Sequence, residues 1–295
     1  MTTAVTLTGD LFRTLRPYQW VKNGFVLMGL MFSHAWDDTL LLQRVAAAFV
    51  AFCCVSSAVY VFNDLIDRDR DRIHPEKCHR PIAAGRLSTS LAIMLGSAVG
   101  VVGLLIGWWA GLGVAIVLTA YMVMNAAYSV RLKHVVILDV FIISTGFMLR
   151  IMAGTMGVGI PPSNWLLFCG LMVTLFLGFA KRRAEISVIA EGEHGNHRAV
   201  LEEYTPILLD TFIAVSAMGV ILSYSLFTMS PDTIHIHGTP NLIYTVPFIV
   251  YGLFRYVYLL HTAGSGGDPA RDLFRDPHLL ISVSGWALVT LWMLA

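Results

Sequence analysis

LLQRVAAAFVAFCCVSSAVYVFNDLIDRDRDRIHPEKCHRPIAAG, residues 41–85, changes character at one point. Up to Phe62 it is apolar, and Arg44 near its start is the one charge. From Asn63 to Gly85 it carries five acids, five bases and two histidines. An apolar run of about 20 residues is what a helix needs to cross a bilayer. Charges as dense as those of 63–85 are too costly to sit in hydrocarbon. The junction therefore marks the aqueous end of a membrane-spanning helix. The charges beyond it are either solvated loop or a site.

The same pattern extends along the chain. Of 295 residues, 56% are hydrophobic and 13% charged, and the mean hydropathy is +0.69. Soluble domains carry about 25% charged residues. Backbone polar groups in lipid must be satisfied internally, which leaves helices or a closed barrel. The apolar runs are continuous rather than alternating, so helices are expected. Nine spans are predicted, near 18–36, 41–62, 88–109, 112–130, 137–157, 163–180, 207–229, 241–260 and 278–295. No composition shift divides them, so a single domain over 1–295 is expected. The N-terminus lacks the apolar core and small-residue cleavage site of a secretory signal. Cys53, Cys54, Cys78 and Cys169 form no C-x-x-C pair and are expected as free thiols.

Lys and Arg fix the orientation. The N-terminal segment and the loops after spans two, four, six and eight hold 17 of the 20 basic residues. The N-terminus and these even-numbered loops are therefore predicted to face the cytoplasm.

If the second span continues as a helix past Asn63, each residue turns by about 100°. Relative to Asn63, Asp67 then lies at about 40°, Asp71 at about 80° and Asp64 at about 100°, on one face. Asp69 falls near 240°, on the other side, and is expected to be dispensable. One amide and three carboxylates on one patch suit Mg²⁺, which takes hard oxygen ligands and shares them with substrate phosphates. The metal ligands expected are Asn63, Asp64, Asp67 and Asp71. Beyond them, Pro75 and Pro81 break the helix, Gly85 permits a tight turn, and Ser88 can cap the next span. His79, Arg80 and Arg86 in this turn are candidates for anion contact.

Arg150 lies well inside the fifth span, where a charge normally faces a cavity or a partner. Asp139 is 11 residues earlier, nearly on the same face, and both are expected to look into a central cavity. Arg255 lies nearer a span end and could snorkel. His235 and His237, on the outer side, and His194 and His197, in a loop, are weak metal candidates. Trp20, Trp36, Trp108, Trp109 and Trp165 sit near span ends, as interfacial anchors do.

N-D-x-x-D-x-x-x-D at a span end, followed by H-R-P-I-A-A-G, resembles the UbiA superfamily of membrane prenyltransferases. "LRPYQWVKN" at 15–23 is similar to the family's entry to its first helix. "YSVRLKHVVILDV" at 128–140 is similar to its tyrosine–lysine motif, carried here by Tyr128 and Lys133. The resemblance implies an all-α polytopic membrane fold, with nine transmembrane helices around a central cavity and the Asp motif holding Mg²⁺ and a diphosphate. Family members using a prenyl diphosphate have a second Asp-rich motif after span six. Here that loop reads "FAKRRAEISVIAEG", with Lys181, Arg182 and Arg183 where acids are expected. A basic cluster binds an anion rather than a second cation. In this respect the chain resembles the polyprenyl-phosphate phosphoribosyltransferase branch. The shared features are Lys181–Arg182–Glu185, Tyr128 to His134 with Asp139 and Arg150, and Arg255–Tyr256 with Asp268–Pro269.

The branch implies phosphoribosyl diphosphate as donor and a decaprenyl phosphate-like polyprenyl phosphate as acceptor. Asp67, Asp71 and Lys133 would serve the reaction. Lys22, Arg80, Tyr128, Asp139, Arg150, Lys181, Arg182 and Glu185 would line the substrates, with Lys181 and Arg182 on the 5-phosphate. Lys22, Lys133 and Arg150 are the candidates for the lipid phosphate. The resemblance also implies a multi-pass protein of the bacterial plasma membrane, supplying an arabinose donor for cell-wall biogenesis. Nucleic acid is not expected as a partner, and a homo-oligomer is left open. The alternatives are a prenyltransferase acting on an aromatic or other small acceptor and a transporter. The missing second acidic motif disfavours the first. The absence of a broken-helix pair disfavours the second.

Overall fold

The computed structural model describes residues 2–33, 36–75, 77–190, 199–262 and 275–294. Among the described residues the regular structure is all helix. Among these residues, eight helices are long and apolar enough to cross a membrane. The elements are α1 (Thr2–Leu15), α2 (Met28–Met31), α3 (Thr39–Ile66), α4 (Arg68–Arg72), α5 (Thr89–Ala110), α6 (Leu112–Val130), α7 (Leu138–Ala153), α8 (Asn164–Ala190), α9 (Pro206–Met229), α10 (Pro231–His237), α11 (Val246–Thr262) and α12 (Pro277–Leu294).

The predicted count of nine is one more than the long helices observed. The first expected span is instead a 3-10 helix, Pro17–Leu27, running into the four-residue α2. At about 2.0 Å per residue the 3-10 stretch covers about 22 Å, and α2 adds about 6 Å. The segment runs antiparallel along α3. Arg16 meets Asp64, Trp20 Nε1 donates to Ser57 Oγ at 3.0 Å, and Asn23 reaches Cys53 and Ser56. It is thus a thinner companion of α3 rather than a full α-helical span.

The chain packs as two compact units, Met1–Lys133 with Leu149–Pro161, and His134–Met148 with Pro162–Ala295. In the first, α3 is the central element, with Val45, Ala48, Ala51, Phe52, Val55 and Ala58 fully buried or nearly so. α5 meets it through Ala92, Gly96, Gly100 and Gly103, while Gly107 faces Leu118 of α6. Small residues let helices approach closely in lipid: a Cβ on Gly103 would stand 2.8 Å from Val55 Cγ2. Ser88 caps α5 by accepting from Leu91 N–H, and Gly85 takes φ +73°, as the sequence leads one to expect. In the second unit, α8 and α9 form a core of Phe176, Phe179, Leu209 and Ile213, joined by Tyr256 and Leu260 of α11. The four cysteines are free thiols.

Candidate functional site

α3 ends because Asp67 leaves the helical region, with φ −88° and ψ 5°. The chain bends there and resumes as α4, with Asp71 N–H donating to Asp67 O at 2.8 Å. The bend keeps the acidic motif at one place in the first unit. Arg80, from the turn after α4, donates to Asp64 Oδ1 at 3.0 Å and to Asp71 Oδ2 at 2.6 Å. Arg16, at the end of α1, also binds Asp64 Oδ1. Asp64 and Asp71 are both buried. Lys133 Nζ donates to Asp67 Oδ1 at 3.2 Å, across 66 positions of sequence. Ser129, from the last turn of α6, donates to Asn63 Oδ1 at 2.6 Å. Tyr128 is its half-buried neighbour.

The expected grouping of Asn63, Asp64, Asp67 and Asp71 thus holds in part. Arg80 joins Asp64 and Asp71, whereas Asp67 and Asn63 are held by the residues after and within α6. Among the described residues no three His, Cys, Asp or Glu side chains cluster as they would to hold a metal ion. Asp69 behaves as its angle predicts: its side chain is 90% exposed and meets only Arg72, at 3.4 Å. The donor set is all oxygen, as Mg²⁺ requires. Mg²⁺ needs only one or two protein carboxylates when phosphates and water complete its shell. The residues present therefore fit that ion, with Asp67 the most accessible carboxylate of the three on the face.

The turn 77–88 is anchored to α1. Arg86 Nε donates to Asp10 Oδ2 at 3.0 Å, and its Nη2 donates to His79 O at 2.9 Å. Arg16 was not singled out as a site residue, yet it touches the motif. Only a left-handed Arg (φ 53°) ending α1 before a 3-10 segment brings it there, and the α-helical reading of 18–36 hides that.

Arg150 and Asp139 share a face of α7, but 11 residues separate them by about 16 Å along the axis. Each belongs to a network within its own unit. Arg150 is buried, donating from Nε to Asn23 Oδ1 at 2.8 Å and from Nη2 to Tyr121 Oη at 3.0 Å. Asp139 is 0% exposed and accepts from Arg182 Nε at 2.7 Å and Tyr204 Oη at 2.8 Å. Arg182, 1% exposed, also donates to Glu185 Oε2 at 2.6 Å. Burial first, and then the bond to Asp139, push the Tyr204 phenol well above its ordinary range. Arg183 is held by Asp210 at 3.0 Å. The basic cluster, expected in a loop, is instead part of α8, where Asp139 of α7, Glu185 of α8 and Asp210 of α9 pair its two arginines, and Lys181 is its exposed member. Lys22 is half-buried on the 3-10 segment.

Arg255 grips Asp276 with Nε and Nη2, at 2.7 Å for the shorter bond, and so joins α11 to the cap of α12. His235 and His237 lie on α10. Glu191, Glu193, His194, His197, Arg198, Asp268, Pro269 and Arg271 lie outside the described residues.

The profile of the UbiA prenyltransferase family matches residues 24–275. A decaprenyl-phosphate phosphoribosyltransferase of Mycolicibacterium smegmatis is 33% identical over 95% of this chain and 91% of its own length. One of the same name from Corynebacterium glutamicum is 37% identical over 95% of this chain and 85% of its own. Among solved structures, a UbiA homolog from Archaeoglobus fulgidus bound to GPP and Mg²⁺ superposes with a TM-score of 0.72. It covers 96% of this chain and 99% of that one, at 16% identity, so the likeness is one of fold.

Proposed function

Because the chain belongs to the UbiA prenyltransferase family and folds as a multi-pass membrane protein, we propose that it transfers 5-phosphoribose from phosphoribosyl diphosphate to a polyprenyl phosphate. The observation that carries this reading is the match, along 95% of the chain, to enzymes named for that transfer. The contact of Lys133 with Asp67 supports it by joining the tyrosine–lysine motif to the acidic one. Lys181, Arg182 and Arg183 on α8, in place of a second acidic motif, favour this donor over a prenyl diphosphate. The site faces the cytoplasm of a bacterial plasma membrane, and the product serves cell-wall arabinose synthesis.

Asp67 and Asp71, with Asn63 and Asp64 beside them, would hold Mg²⁺. That ion offsets the charge of a bound diphosphate and orients it. Lys133 and Arg80, already at 3.2 and 2.6 Å from those carboxylates, are within reach of diphosphate oxygens. A lipid-phosphate oxygen attacks the anomeric carbon as its bond to diphosphate breaks, and the electron pair leaves with the diphosphate. The acceptor is already an anion, so no side chain need remove a proton. Holding donor and acceptor in line is then the main contribution of the protein. Lys181, exposed on α8, is the proposed contact for the 5-phosphate, and Lys22 for the lipid phosphate.

The test is to give the purified protein labelled phosphoribosyl diphosphate and a polyprenyl phosphate, with Mg²⁺ or with EDTA. Label in the lipid phase with Mg²⁺ alone is the expected result. Turnover of a prenyl diphosphate onto an aromatic acceptor, with no phosphoribose transfer, would overturn the proposal.

A further inference from the structure

Runs of 3-10 helix beyond three or four residues are uncommon, because their hydrogen bonds are poorly aligned. Pro17–Leu27 runs for 11 residues. Its sequence shows a repeat of three. Trp20, Asn23, Val26 and Gly29 recur at that spacing, and the last three are buried. Tyr18, Val21 and Leu27 form an exposed apolar row. Gln19, Lys22 and Phe25 form a third, half-buried row. Residues three apart eclipse one another only in a 3-10 helix. Wound as an α-helix, the buried row would drift by about 60° at every third residue, half a circle by Gly29. The stripe faces α3 only at three residues per turn.

Asn23 is held from both sides at the middle of that stripe. Its Nδ2 donates to Ser56 Oγ and Cys53 Sγ of α3, both at 3.3 Å. Its Oδ1 accepts from Arg150 Nε at 2.8 Å. The Arg150 guanidinium also donates to Tyr121 and lies 5.4 Å from the Phe52 ring centroid and 4.9 Å from that of Tyr121. A buried cation is costly unless its donors are used, and here two of them bind Asn23 and Tyr121 and so lock the segment. Beyond Asn23, the Val26 carbonyl comes so near Gly154 that a Cβ there would clash with it. Before it, Trp20 and Arg16 are fixed on Ser57 and Asp64.

We infer that the Asn23–Arg150 pair is a positioning device: it holds Pro17–Leu27 in three-residue winding and thereby sets the row of Gln19 and Lys22 for the acceptor's phosphate. Arg150 is then a positioning residue and not a ligand of the lipid phosphate. The part concerning the acceptor rests on the proposed transfer reaction. Lys cannot replace Arg150, since the guanidinium fork serves two acceptors at fixed angles and an ammonium is a point charge.

Hydrogen exchange read by mass spectrometry, with steady-state kinetics alongside, tests this in detergent-solubilised Arg150→Lys and Arg150→Gln. Charge-assisted bonds of this kind shift a local opening equilibrium about tenfold or more. Exchange in peptides from 17–27 should rise about tenfold in both variants, with peptides of α9 and α11 unchanged. KM for polyprenyl phosphate should rise about as much, with kcat changed far less. If Arg150→Lys keeps wild-type exchange and KM, the inference is wrong. It is equally wrong if KM rises while exchange in 17–27 does not, since Arg150 then binds the phosphate itself. Should both variants fail to fold, Asn23→Ala, which leaves Arg150 its Tyr121 partner, is read the same way. The exchange arm needs no turnover. A wild-type protein that transfers nothing would count against the functional reading, and the winding would still be decided by exchange.

Discussion

Replacing Arg182 by Met separates two accounts of the basic cluster on α8. If Arg182 were a phosphate grip, its loss would weaken substrate binding and leave the fold intact. In the structure it is 1% exposed, and its main partner Asp139 is 0% exposed. Arg182→Met leaves that carboxylate with the Tyr204 hydroxyl, which donates to it at 2.8 Å. Removing one partner of a buried ion pair costs about 3–5 kcal/mol. At about 2–4 °C per kcal/mol, melting should fall by roughly 6–20 °C. Lys181→Met, at an exposed position, should change stability by no more than about 0.5 kcal/mol while raising KM for phosphoribosyl diphosphate. The double variant Arg182→Met with Asp139→Leu removes both buried charges, and so should recover more than half of the loss; the Tyr204 hydroxyl still accepts from Ile137 N–H at 2.6 Å, and losing its acceptor costs about 1 kcal/mol. The assay is thermal unfolding in detergent, followed by tryptophan fluorescence. An Arg182→Met protein melting within about 2 °C of wild type would refute the reasoning.

Asp67→Asn should lower transfer by about 10²–10³-fold, the scale for losing an electrostatic group at a reacting centre. Asp69→Asn, two residues away but 90% exposed, should leave transfer unchanged in the same assay. Gly154→Ala sets a Cβ against the Val26 carbonyl oxygen, backbone that cannot step aside. It should destabilise the first unit by about 3 kcal/mol, read as lost yield and a lower melting point. Arg255 holds the Asp276 carboxyl below its ordinary range. The bond therefore contributes fully above the unfolded value of about 3.9, and its contribution is lost as pH falls through the lower folded value. Melting measured from neutral pH down to about pH 3 should show a decline that Asp276→Asn diminishes.

The features set by local periodicity were legible in the sequence. The junction at Asn63 marks the end of α3, and the helical angles separate Asp69 from Asp64 and Asp71. The first span was not, because the length of an apolar run does not distinguish an α-helix from a 3-10 segment, and only the repeat of Trp20, Asn23, Val26 and Gly29 every three does. Nor were the counter-ions. Arg182 and Asp139 lie 43 positions apart, and nothing local pairs them. A stretch that reads as a basic loop is therefore helix, with its two arginines paired to acids, once folded. Asp139 and Arg150 show the limit of helical angles, which fix the face of a helix but not the depth at which a side chain finds its partner. Arg16 carries no motif of its own. It reaches Asp64 because the backbone turns at it.

The measurement that bears most directly on the whole account uses phosphoribosyl diphosphate labelled at two places, the 5-phosphate and the β-phosphate of the diphosphate. With Mg²⁺ and a polyprenyl phosphate, the first label should pass into the lipid phase and the second should appear as inorganic diphosphate, in equal amounts. Both labels together in the lipid, or neither label moving while a prenyl diphosphate is consumed, would contradict it.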